Sequence, residues 1–311
     1  MALAFLYAGQ GSQKEKMGED FYKTYPQVRD IFDNKSAGFD IAGTCFNASI
    51  DTLTRTKYTQ PCMAAFAAAL TRLLSEKGIR PDYAAGLSLG EYGALHASGV
   101  FDVDTLLSLL AYRGKVMEET TAGLDTKMAA VIGLSDEQVC EAADKAAKEG
   151  LGIVAPANFN SVGQVVIGGA SAAVDRACEI CNEMGARRCL PLKVGAPFHT
   201  PYMEEAAALM GERLRSAKFG AMNVPVIHNV SADLLREGET VAGLLEVQIK
   251  MPVLFRKSIE KLEALGVERV IEIGPGSAIA GFIKKTAPRI TVYSIDDTES
   301  FEAAVSAMEE K

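Results

Sequence analysis

The stretch Gly86-Leu87-Ser88-Leu89-Gly90-Glu91 constrains this chain more than any other. It has the Gly-x-Ser-x-Gly spacing of a nucleophile elbow, a sharp turn that carries a strand into a helix and holds a serine oxygen clear of the backbone. Glycine two residues either side of Ser88 lets such a turn close without a Cβ clash. The flanks suit it: Tyr83-Ala84-Ala85 can form a short buried strand, and Leu89 to Ala97 carries helix formers with one interior glycine, Gly93. A chain with this turn needs a sheet with a strand ending at the serine, and helices to cover that sheet.

The remaining sequence alternates in the same way. Residues 3–7 read as a first buried strand and 63–77 as a core helix stopped by Gly78 and Pro81. After the elbow comes a helix over about 103–120, then a hinge, Thr121-Ala122-Gly123-Leu124-Asp125. Residues 128–133 read as a strand, and Ser135 with Gln138 forms a capping box opening a helix that ends at Gly150. Strands at 152–158 and 164–167 flank an Asn-Ser-Val-Gly turn, and helix 171–185 and strand 187–194 follow. The order β-α-β-β-α-β is the split unit of ferredoxin-like domains. It predicts a small domain over 125–194, inserted into a larger one made of 1–124 and 195–311. In the latter segment 201–216 reads as helix, 225–229 as extended, 241–250 and 253–265 as helices parted at Pro252, and 267–273 as a strand. Gly274-Pro275-Gly276 then turns the chain into a helix over 277–287 before a last strand at 291–295. The expected fold class is α/β: an α/β-hydrolase-like large domain with a mainly parallel sheet, plus an inserted ferredoxin-like small domain.

Composition narrows the function classes. Of 311 residues, 48% are hydrophobic and 23% charged, the balance of a globular protein. A net charge of −8 argues against nucleic acid. An acidic partner would need a local basic patch, for which Arg187-Arg188 and Lys284-Lys285 with Arg289 are the candidates. Residues 1–8 are apolar but lack a basic leader, so no signal peptide is expected. No apolar run reaches about 18 residues, so no membrane span is expected. Six cysteines do not make a disulfide scaffold. Cys178 and Cys181 share a helix face, with Cys189 further on, but His96, His199 and His228 are not at ligand spacing. Reduced thiols in a cytoplasmic protein, with no metal, are the expectation.

A serine hydroxyl attacks only when a base takes its proton, and histidine is the usual base. His96 lies two turns along the elbow helix and reads as packing or surface. His228 follows a short apolar run and could sit at a strand end. His199, in Val194-Gly195-Ala196-Pro197-Phe198-His199-Thr200-Pro201, has a proline on each side in a loop at the domain junction. It is favoured as the base. No aspartate lies between His199 and His228, so a Ser-His dyad oriented by a backbone or amide oxygen fits better than a triad. An oxyanion hole would take one N–H from Leu89, at a helix N-terminus, and a second from a neighbouring loop. Ala8-Gly9-Gln10-Gly11-Ser12-Gln13 can bend close enough to provide it. Arg113 stands in an otherwise apolar helix, either on its surface or as a buried fork awaiting a carboxylate.

Taken together, these stretches resemble the malonyl-CoA:acyl carrier protein transacylases. Gly9-Gln10-Gly11-Ser12-Gln13, Gly86 to Glu91, Tyr112-Arg113-Gly114, Asn158-Phe159-Asn160-Ser161 with Gly163-Gln164-Val165-Val166, Phe198-His199, Gln248 and Gly274-Pro275-Gly276 match that family's blocks in order. One departure is Leu87, where the family most often has histidine. The resemblance implies that Ser88 attacks the thioester of malonyl-CoA and that His199 takes its proton. The N–H groups of Gln10 and Leu89 would hold the oxyanion, Arg113 the malonyl carboxylate, and a main-chain oxygen near Gln248 would orient the histidine. It also implies that Phe198 crowds a branched methylmalonyl chain and that Asn160 lines the cleft. No cofactor is implied, because malonyl-CoA and the phosphopantetheinylated carrier protein are substrates. Holo-acyl carrier protein is the implied partner, a monomer the implied state, and fatty-acid synthesis the implied pathway. The competing readings are a serine esterase or thioesterase, a polyketide acyltransferase, and a non-catalytic scaffold.

Overall fold

The computed structural model describes residues 2–309. Their strands form two sheets. The first is parallel throughout, in the order β7 (Val226–Ile227), β2 (Tyr83–Gly86), β1 (Ala2–Tyr7), β8 (Val267–Ile273), β9 (Thr291–Ile295). Side chains on a strand alternate between faces, and β1 shows what that does here. Leu3, Phe5 and Tyr7 enter one apolar core, whereas Ala4 and Leu6 enter a second on the opposite face. Helices therefore cover both sides. The register pairs Tyr7 with Gly86 and with Ile273, so β1, β2 and β8 end at one edge and their following loops open together. Ligands of open parallel sheets bind at such carboxyl-terminal edges.

The second sheet is antiparallel, in the order β4 (Val154–Ser161), β5 (Gln164–Ala170), β3 (Thr126–Ile132), β6 (Arg188–Pro191). Its crossover helices are Asp136–Lys148, which carries the Ser135–Gln138 capping box, and Ser171–Glu183. On β3, Ala129 and Val131 pack against these helices, while Met128 and Ala130 turn to the core shared with the parallel sheet. One face of the small sheet thus closes its own core and the other looks toward the elbow.

The long helix runs Thr56–Glu76, starting earlier than the alanine-rich pattern suggests, with Pro61 inside its second turn. Pro61 forgoes one backbone bond there, and burial of nearly every side chain from Thr59 to Leu70 holds the helix despite that loss. It lies against helix Val103–Glu119, and a Cβ on Gly114 would stand 2.5 Å from the Thr56 carbonyl oxygen. Glycine after Arg113 is what lets these helices meet.

Two sequence expectations shift. The helix expected from 253 begins at Phe255, because Val253 is extended and bridges to β4, donating to Ala157 O at 2.9 Å and accepting from Phe159 N at 2.9 Å. Helix Thr298–Glu309 and four short helices between Glu19 and Leu53 lie outside the sequence reading. The short ones hold aromatic residues such as Phe21 and Phe32 rather than an extended periodic face.

Candidate active site

Ser88 sits just past β2 with φ 55°, in the left-handed region that side chains other than glycine rarely occupy. Its neighbours show why the turn is so tight. A Cβ on Gly86 would lie 2.0 Å from the Gly90 carbonyl carbon, and one on Gly90 would lie 2.2 Å from Tyr7 O. The turn also needs hydrogen-bond partners that a helix would otherwise supply. Asn229, just beyond β7, supplies them: its Oδ1 accepts from Ser88 N at 2.7 Å, and its Nδ2 donates to Gly86 O at 2.7 Å.

His199 reaches the serine from the proline-flanked loop, itself at φ 59° and pinned by its N–H on Ile249 O at 3.2 Å. Its Nε2 is 2.7 Å from Ser88 Oγ and its Nδ1 is 2.7 Å from Gln248 O. A carbonyl oxygen only accepts, so Nδ1 carries the proton and Nε2 turns a lone pair to the serine. Burial, reinforced by the charge of Arg113 and opposed by the Gln248 carbonyl, pushes the His199 pKa down to about 3. The imidazole is therefore neutral at pH 7 and able to accept a proton.

Arg113 is 1% exposed, so it is no surface arginine. One terminal guanidinium nitrogen donates to Ser88 Oγ at 3.1 Å and to Gln248 Oε1 at 2.9 Å, and the group lies 5.5 Å from the Tyr92 ring centre. Burial lowers its pKa, yet a guanidinium stays charged in a protein. Its direct partners are a hydroxyl and an amide. A buried cation whose contacts are neutral is a ready site for a planar anion.

The space above Ser88 is a cavity of about 120 Å³ lined by Gln10, Leu87, His199 and Phe198 on one side. Met128, Asn158, Asn160 and Val166 of the small sheet line the other. Asn160 is 6% exposed and its Oδ1 has no partner. The N–H groups of Gln10 and Leu89 donate to no other group of the described residues. Leu87 packs its side chain over Gly9, at the start of the Gln10 loop.

Ser88, His199, Gln10, Phe198 and Asn160 thus line one cleft, Arg113 and Gln248 reach Ser88 from behind it by hydrogen bonds, and Leu89 follows the serine in the chain. Two histidines lie elsewhere. His96 bonds the Phe101 carbonyl at 2.8 Å, and His228 is wholly buried against Glu91. Cys189 approaches the Cys178 carbonyl at 3.6 Å, all six thiols are free, and no group suited to hold a metal occurs among the described residues. Sequence reasoning missed Asn229, Glu91 and His228 as supports. Glu91 lies inside the elbow hexapeptide, but nothing local marks Asn229.

An elbow serine, an imidazole and a buried guanidinium converging on one small cleft are the parts of an acyl-transfer site. The family model for the acyl transferase domain matches residues 4–305, and the chain belongs to that family. It is 37% identical over 311 residues to the malonyl CoA-acyl carrier protein transacylase of Bacillus subtilis (strain 168), covering 99% of this chain and 98% of that relative. Its fold is similar to the crystal structure of malonyl CoA-acyl carrier protein transacylase from Clostridium perfringens, with a TM-score of 0.95, 36% identity, and coverage of 100% and 98% of the two chains. A malonyl-transacylase solved in complex with its type II PKS acyl-carrier protein is similar at a TM-score of 0.94 and 34% identity, covering 99% and 100%.

Proposed function

We propose that the chain moves malonyl groups from malonyl-CoA to the phosphopantetheine thiol of holo-acyl carrier protein through an ester on Ser88. The observation that carries this reading is the guanidinium of Arg113 at 3.1 Å from Ser88 Oγ. A thioester carbonyl over Ser88 with a carboxylate two carbons away places both ends of the acyl group within reach of their partners. His199 Nε2 takes the serine proton as the Oγ–C bond forms. The carbonyl electrons move onto oxygen, and the free Gln10 and Leu89 N–H groups donate hydrogen bonds to the oxyanion that forms. As the C–S bond breaks, the imidazolium gives its proton to the departing thiolate, which leaves as the thiol of CoA. The carrier thiol then repeats the sequence in reverse on the ester. Gln248 O keeps the proton on Nδ1 throughout, taking the place an aspartate has in a triad.

The small cleft between the two sheets limits water attack on the ester. Phe198, at the cleft wall, leaves little room for a branched acyl chain. The basic pairs Arg187-Arg188 and Lys284-Lys285 with Arg289 are exposed and suit an acidic carrier. No helix of the described residues is long and apolar enough to cross a membrane. Free thiols suit a reducing cytoplasm. We read the protein as a monomer supplying fatty-acid synthesis, without a cofactor.

Intact mass after incubation with malonyl-CoA tests the reading. The wild type gains one malonyl group and surrenders it to added holo-carrier protein as malonyl-carrier, while Ser88→Ala gains none. Labelling of Ser88→Ala, or release of free malonate in place of malonyl-carrier, would overturn it.

A further inference from the structure

Beneath the elbow lies a buried carboxylate that the acyl-transfer steps do not use. Glu91 is 1% exposed, and His228, Asn229 and Gln248 around it are fully buried. Its Oε1 accepts from His228 Nδ1 at 2.7 Å. Its Oε2 accepts from Asn229 N at 3.1 Å and from Gln248 Nε2 at 2.8 Å. Removing a carboxylate from water is costly unless donors replace its hydration, and here three do. They come from chain segments 137 to 157 residues away.

Two of these donors belong to residues that hold the reacting groups. Asn229 clamps the turn on both sides of Ser88. Gln248 does more. Its carbonyl orients His199, and its Nε2 faces Glu91 and also the Ser88 carbonyl at 2.9 Å. With Nε2 directed there, Oε1 is left to hold Arg113 at 2.9 Å. An acceptor on one side of the amide thus fixes an acceptor toward the guanidinium on the other.

We infer that Glu91 is a positioning residue for the malonyl-selective site, acting through Gln248 on Arg113 and through Asn229 on Ser88. This rests on the acyl-transfer reading above. The carboxylate links the serine, the base and the guanidinium in one hydrogen-bonded unit, so a disturbance at Glu91 reaches the acyl carboxylate without touching it. His228 completes the carboxylate's coordination from the opposite side.

The test compares Glu91→Leu with Glu91→Gln, reading Ser88 acylation by malonyl-CoA and acetyl-CoA together with thermal unfolding. Leucine leaves Asn229 N and His228 Nδ1 without their acceptor and leaves Gln248 Nε2 with the Ser88 carbonyl but not the carboxylate that also holds it. The malonyl-to-acetyl ratio of kcat/KM should fall about tenfold or more, the scale of an orphaned buried group. Glutamine keeps one oxygen for the Asn229–Gln248 side and should restore most of the ratio. A purely structural role lowers both substrates in parallel with the unfolding temperature, and an unchanged ratio in folded Glu91→Leu overturns the proposal. If that variant does not fold, Gln248→Leu breaks the same chain one link later, and an unchanged ratio there overturns it equally. Wild-type protein is the control: if it acquires no malonyl group, the acyl-transfer reading has failed rather than the role of Glu91.

Discussion

Arg113→Ala separates charge recognition from the acyl-transfer chemistry. The guanidinium is buried and 3.1 Å from the serine oxygen, so a malonyl carboxylate on the wild type would be paired away from water. Deleting one partner of a buried ion pair costs about 3–5 kcal/mol. At about 1.4 kcal/mol per factor of ten, that is a loss of roughly a hundred- to a few thousand-fold in kcat/KM for malonyl-CoA. Water entering the space left by the side chain solvates part of the carboxylate and pulls the loss toward the lower end. Acetyl-CoA carries no carboxylate. It loses only the Arg113 hydrogen bond to Ser88 Oγ and the support given to Gln248, on the order of 1–2 kcal/mol. The difference of about 1–4 kcal/mol should therefore lower the malonyl-to-acetyl ratio by about fivefold at the least, and by up to several hundredfold where the cleft stays dry. Time-resolved intact mass of the acyl-enzyme with each thioester measures this, with a thermal unfolding curve to show that the variant is folded. A folded variant whose ratio stays within about threefold of wild type would refute the assignment.

Two further outcomes follow from the site and its supports. His199 is neutral and buried with its pKa near 3, whereas in the unfolded chain it titrates near 6.5. The unfolded state therefore binds the extra proton between those values, and stability falls with decreasing pH across that window at up to about 1.4 kcal/mol per pH unit. Denaturant titrations should show a flatter decline from pH 6.5 to pH 4 in His199→Gln, and parallel curves would mean the wild-type imidazole is not held neutral. Gly114→Ala places a methyl 2.5 Å from the Thr56 carbonyl, an overpacking worth about 1–3 kcal/mol. Its melting temperature should fall by several degrees, and an unchanged value would show that the two helices do not meet as described.

The sequence revealed most where a local pattern has a single geometric solution. The strand-to-helix turn at Ser88 demands glycine at both 86 and 90, because a Cβ at either would strike backbone, so the Gly-x-Ser-x-Gly spacing is a direct trace of it. The β-α-β-β-α-β order of the small unit was legible because its elements are short and its first helix opens on the Ser135–Gln138 box, although its second, Ser171–Glu183, has no side-chain cap. His199 was favoured over His228 because its two prolines signal a fixed loop, and the structure brings it to 2.7 Å from Ser88 Oγ. Burial of Arg113 was not legible, since an arginine in an apolar helix can point either way, and only Gly114 beside it recorded the close approach of a second helix. Asn229, Glu91 and His228 escaped for another reason. They meet across more than a hundred residues of chain, and the role of each exists only in the polar network they form together. The start of the helix at Phe255 was likewise set by a tertiary event, the bridge between Val253 and β4, which overrides the helical pattern of that segment.

In the proposed acyl transfer Arg113 would act in two ways that the geometry couples. Burial first and the Arg113 charge second hold the His199 pKa down, which makes the imidazole a weak base. A carboxylate seated on the guanidinium cancels much of that charge within a few ångströms of the ring, and in a buried site such a change is felt strongly. His199 then becomes more basic at the moment a carbonyl lies over Ser88. An uncharged acyl thioester brings no such compensation. Under the proposed transfer, the contact that holds the malonyl group would therefore also strengthen the base that activates the serine, so that selectivity would enter through proton transfer as well as through binding.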